Sequence, residues 1–175
     1  MIEAISLPAT SKLIKLCGAD PGRLIISPEG SLAITAIWEG QEPDPRCGVY
    51  VPLVGERAFQ ARWIDARGIR ELSVLHIEGC DVQVRVAGLS NVPLGFDIKD
   101  ESALPLGGLF VDSCGLRVVA ESGSDAISLD LGSGKFAHIH DGRRCLAARE
   151  WTLILMRNQV QCFSADISAK ATAAA

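Results

Sequence analysis

Along much of the chain, hydrophobic and polar residues alternate with a period of two. Val82, Val84 and Val86 alternate with Gln83 and Arg85, and Ile127, Leu129 and Leu131 alternate with Ser128 and Asp130, as in a strand with one buried face. Turn-forming residues fall between such runs. Pro28-Glu29-Gly30 separates 24–26 from 32–34, Gly132-Ser133-Gly134 separates the Ile127 run from 136–139, and Glu78-Gly79-Cys80-Asp81 separates 72–77 from 82–86. Each predicts a hairpin. Segments 72–77 and 151–156 are apolar at nearly every position, which predicts strands covered on both faces. Only two short helices are predicted, at 11–17 with Ser11 as N-cap and Gly18 as stop, and in the Ala-rich stretch 144–150.

The chain also resembles itself. Residues 23–30 (RLIISPEG) align with 108–115 (GLFVDSCG), 32–36 (LAITA) with 116–120 (LRVVA), and 49–57 (VYVPLVGER) with 127–135 (ISLDLGSGK). The alignment continues with 70–77 (RELSVLHI) on 149–156 (REWTLILM) and 82–87 (VQVRVA) on 160–165 (VQCFSA). Shared order, with insertions confined to turns, predicts an all-β fold of antiparallel strands in a sandwich or barrel. It would be built by internal duplication from two similar halves of about six short strands each. The expected division is an N-terminal segment (1–22), a first β repeat (23–87), an inter-repeat connection (88–107), a second β repeat (108–165) and a disordered tail (166–175). Leu24 should then match Leu109, Leu32 match Leu116, Glu71 match Glu150, and Val82 match Val160.

Composition narrows the function classes. Across 175 residues, 17 Lys and Arg face 21 Asp and Glu, a net charge of −4 with no basic run. That argues against nucleic acid or an anionic membrane surface as partner, because both need clustered cations. A hydrophobic share of 48% excludes disorder over most of the length. No apolar run approaches the roughly 20 residues of a spanning helix, and the N-terminus, with Glu3 and Pro8, does not read as a secretory signal. A cytoplasmic protein is expected. Six cysteines without a C-x-x-C pair do not make a zinc ribbon, and read as small buried hydrophobes, Cys162 beside Val160 fitting best. Strands apolar on both faces further predict that an outer sheet face is covered by 88–107 or by a second copy in a homodimer.

Candidate chemistry is sparse. His138 and His140 share a strand face, with Asp141 or His76 as a third ligand, yet no third ligand stands at metal spacing. The expectation is a solvent-facing histidine pair, no metal and no cofactor. The chain lacks a G-x-S-x-G elbow, the Gly132–Lys135 letters lack phosphate-loop spacing, and Asp97, Asp100 and Glu101 read as a solvated cluster. No catalytic residue is assigned. The first half carries an inserted loop, 37–47, where the second has a short acidic turn. Its Trp38, Glu39, Glu42, Asp44 and Arg46 have the composition of a contact surface. Trp38 also continues the alternation Leu32, Ile34, Ala36, the position of a last core residue. Two function classes follow: a non-catalytic interaction protein (an inhibitor, immunity-type or scaffold module) that binds another protein, or a small-molecule-binding barrel or sandwich, or an enzyme built on one, with its site between the halves.

Overall fold

A computed structural model describes residues 11–42, 48–64, 72–93, 104–112, 115–139 and 144–169. Among these residues the regular structure is all β and mostly antiparallel. In the first half the strands are β1 (Ser11–Lys15), β2 (Leu24–Ile26), β3 (Leu32–Thr35), β4 (Ile37–Trp38), β5 (Gly48–Pro52), β6 (Arg62–Ile64), β7 (Ser73–Ile77) and β8 (Asp81–Val86). The second half adds β9 (Ser90–Pro93), β10 (Leu109–Asp112), β11 (Gly115–Ser122), β12 (Asp125–Asp130), β13 (Lys135–His138), β14 (Arg144–Ala148), β15 (Glu150–Arg157) and β16 (Val160–Ser168).

Three sheets form, ordered β1-β7-β2-β3-β5-β6, β4-β13-β12-β11-β10-β14-β9 and β16-β15-β8. Read backwards and without β4, the second order is the first with β9, β14, β10, β11, β12 and β13 in place of β1, β7, β2, β3, β5 and β6. The registers agree residue by residue. Leu24 pairs Ile34 where Leu109 pairs Val118, and Thr35 pairs Tyr50 where Val119 pairs Ser128. Val49 pairs Trp63 where Ile127 pairs His138, and Ile25 pairs His76 where Phe110 pairs Ala147. The parallel contacts between halves repeat as well. Ile37 pairs Lys135 and donates to the Gly134 carbonyl, while Glu121, at the corresponding place, pairs Gln60 and donates to the Phe59 carbonyl. Each half thus pairs a short stretch with the other: the first half through β4, the second through the end of β11.

The alternation explains the layers. Even-numbered Leu24, Ile26, Leu32 and Ile34 enter a central core shared with Leu109, Val118, Ile127, Leu129 and Phe136 from the second sheet. The intervening residues build two smaller cores: Ile25, Ala33, Tyr50 and Val74 in one half, Phe110, Val119, Cys145 and Ala147 in the other. The third sheet closes the central core with Trp151, Leu153 and Leu155.

Several expectations are corrected. Segment 11–15 is strand β1, and 144–148 is strand β14. In both, pairing with a neighbouring strand overrides local helix signals, and the small Ala147 and Ala148 of β14 pack into the cores on its two faces. No hairpin forms across 78–81, because β7 belongs to the first sheet and β8 to the third. Gly79, at φ +68°, makes the corner. By strand order β7 therefore corresponds to β14 and β8 to β15, so Val82 does not match Val160; β8 and β16 flank β15. The Leu24–Leu109 and Leu32–Leu116 matches agree with the registers, whereas Glu71 lies outside the described residues. Strand β16 runs to Ser168 with Ile167 buried, so the ordered chain extends past 165. Cys162 and Val160 are exposed, not core.

Candidate interaction surface

Strand β4 is only two residues long, yet it places Trp38 on the edge of the second sheet beside Phe136. The indole packs edge-on against the buried Phe136 ring at 4.4 Å and lies tilted on the exposed His138 ring at 4.7 Å. Trp63, on edge strand β6, approaches the same Phe136 at 6.3 Å, and its indole N–H donates to Ser122 Oγ at 3.2 Å. The registers make Trp63 the counterpart of His138, and Ser122 the counterpart of Trp38. The Trp63–Ser122 and His138–Trp38 contacts are therefore equivalent. The aromatic cluster straddles the line about which the two halves exchange.

Trp38 is half-buried, whereas half of Trp63 is open to solvent, at 50%. Between them lies a notch of about 60 Å³, lined by Leu16, Ile37, Trp38, Glu42, Val49 and Trp63 among others. Glu42 is exposed at its rim. Glu39 is held from below: its carboxylate lies 3.6 Å from the guanidinium of Arg117, a buried residue that also donates to Ser128 Oγ at 3.1 Å. Ser128 in turn donates to the Ala137 carbonyl. A buried cation needs such partners, and here they fix the start of the inserted loop. Of the residues singled out in the sequence, Trp38, Glu39 and Glu42 come together in this region; Asp44 and Arg46 lie outside the described residues.

His138 belongs to the aromatic cluster, while His140 and Asp141 lie outside the described residues. His76 is on the other large sheet, between Lys12 and Ile25. Burial and the charge of Arg23 hold its imidazole below the ordinary value, against the pull of Glu78 3.6 Å away. No group of three His, Cys, Asp or Glu among the described residues is placed to hold a metal. No helix among them is long and apolar enough to cross a membrane.

Trp63, Phe136, Arg117 and Ser122 were not legible as site residues. The usable signal was the alignment of 59–64 (FQARWI) with 134–139 (GKFAHI), in which only the final isoleucine is identical. Two larger cavities lie elsewhere, of about 220 Å³ around Phe59, Leu106 and Ile167, and of about 210 Å³ around Glu29, Arg57 and Arg62. Compared with known proteins, the chain matches no family model, no curated protein and no solved structure.

Proposed function

We propose that the protein is a non-catalytic interaction module that binds another protein at the Trp38–Trp63 notch. The observation carrying this reading is the notch itself: two tryptophans on a double-sheet frame flank a hollow of about 60 Å³, lined by polar and apolar atoms alike, with a carboxylate at its rim. Such a hollow takes one small aliphatic side chain of a partner; ligand pockets are roughly 300–1,000 Å³. Trp at the centre of a contact is the usual energetic anchor. Glu39 and Glu42 favour a partner with basic residues around the inserted apolar one, which speeds encounter more than it deepens affinity. Repetition of the pairing pattern between the sheets supports an origin by internal duplication, with the inserted loop as the later addition. A homodimer using an open sheet edge is compatible with this reading, since Leu13 and Val160 are exposed on edge strands at 69% and 67%.

A second reading is favoured by the 220 Å³ cavity, which lies between the halves, with Val54–Phe59 on one side and Leu106 with 165–168 on the other. A small apolar ligand there would raise the melting temperature in a metabolite screen.

The interaction reading is tested by placing a photo-crosslinking residue at Gln41 in cells, identifying the captured protein, and measuring its affinity for Trp63→Ala. The expected result is a loss of about 30-fold or more, as for a hot-spot residue, with a melting temperature lowered by only a few degrees, because Trp63 is half exposed but gives up its Ser122 hydrogen bond and its contact with Phe136. Equal affinity of the variant and the parent would reject the notch.

A further inference from the structure

Cys80 and Cys162 are 82 positions apart in sequence, yet their Sγ atoms lie 3.8 Å from each other. Both are reduced thiols. Cys80 occupies the corner that carries the chain from β7 in the first large sheet to β8 in the third. Cys162 lies on β16, the opposite edge of that third sheet, at a β-bulge. Leu155 pairs Phe163 and Met156 pairs Gln161, leaving Cys162 as the extra, unpaired residue. A bulge re-aims the side chain it carries, and here the thiol points to the Leu155 carbonyl, at 3.3 Å, and to Cys80.

We propose that this pair is a reversible redox site, which closes to a Cys80–Cys162 disulfide when the protein meets a low-molecular-weight disulfide of the glutathione type. Forming the bond needs the sulfurs to approach to about 2.05 Å; because Cys80 and Cys162 sit on the strands either side of β15, closure draws the bulge and the corner together as well as turning the side chains. The exposed Cys162 is the group an oxidant meets first. Its thiolate attacks one sulfur of the small disulfide; the S–S bond breaks, a mixed disulfide forms on Cys162, and one small thiolate leaves. The Cys80 thiolate then attacks the Cys162 sulfur and expels the second small thiolate. Two protein thiols are oxidised, one small disulfide is reduced to two thiols, and the two protein protons end on the leaving thiolates. Burial and the neighbouring sulfur push the Cys80 thiol up, so the second step quickens as the pH rises.

The product ties the corner after β7 to β16. Its closed loop spans most of the second half, so the unfolded chain loses much freedom and the folded protein gains stability. The edge strand β16 is then anchored at its first residues, where Val160 is most exposed.

The full-length protein is incubated with oxidised glutathione, alkylated and mapped by mass spectrometry, with buried Cys145 as the internal reference. The parent is expected to give a linked Cys80–Cys162 peptide and a melting temperature raised by roughly 5–10 °C, reversed by dithiothreitol. Cys80→Ser should stop at glutathione on Cys162, and Cys162→Ser should leave Cys80 largely unmodified. The proposal is overturned if the parent retains glutathione on Cys162 without the link, or if the link appears only in urea.

Discussion

At Gly134 the backbones of the two halves meet with no room for a side chain, and replacing it tests the account of the fold directly. A Cβ on Gly134 would run into the Gly22 amide nitrogen and the Thr35 carbonyl oxygen, and would stand 2.8 Å from Gly22 Cα. Those groups are joined by the Gly22 N–H to Thr35 C=O hydrogen bond, 2.8 Å long. Gly134 also sits at φ +67°. Gly79 supplies the control, because it has nearly the same φ, +68°, with nothing within 4 Å of an added Cβ. Gly79→Ala should cost only the left-handed backbone penalty, about 1–2 kcal/mol. Gly134→Ala carries that penalty plus a backbone displacement that weakens the Gly22–Thr35 bond, for a total of about 3–5 kcal/mol. At about 2–4 °C per kcal/mol for a chain of this size, the two variants should differ by roughly 5–10 °C. Urea melts followed by tryptophan fluorescence, with matching m-values, measure the gap. If the two variants are equally stable, the halves do not touch where the structure puts them.

Two further predictions concern polar contacts of Tyr50 and Trp151. Tyr50 donates to Glu29 Oε1 at 2.7 Å; burial pushes the Glu29 carboxyl up, but the hydrogen bonds from Tyr50, its own backbone and Ser27, with the charge of Arg62, bring it below its ordinary value. A carboxyl lowered in the folded state adds stability above its unfolded value of about 4.5 and loses it as the pH falls through the folded value, so Tyr50→Phe should flatten the acid side of the stability profile and cost about 1 kcal/mol at pH 7. Trp151 donates from its buried indole to the Gly107 carbonyl at 2.8 Å; Trp151→Phe should lose about 2–3 kcal/mol by leaving that carbonyl unpaired and opening a small cavity, as measured by the same urea melts.

The sequence by itself determined the all-β class and, over three aligned segments, a correspondence between the halves that the strand registers share. Segments 23–30 and 32–36 form one hairpin, and 49–57 pairs with 32–36 across the inserted loop; in all three, period-two alternation is dictated locally. Their alignment with the second half therefore coincides with the observed registers. Beyond them the alignment slipped. Strand β7 resembles β15 in composition but occupies the place of β14, because an apolar run does not say which neighbour will pair with it. The same limit hid β1 and β14, whose strand state exists only through partners far along the chain. It hid the notch for a related reason. Trp38, Trp63 and Phe136 come from three strands, and only the exchange of segments between the sheets brings their rings onto one another. Even equivalent contacts are made by dissimilar residues: Gly134 meets Gly22 through bare backbone, while its counterpart Phe59, at φ +65°, sets its ring on Gly107. Only tertiary structure sets how near the two segments lie at each place, backbone against backbone at Gly134 and a ring over a glycine at Phe59.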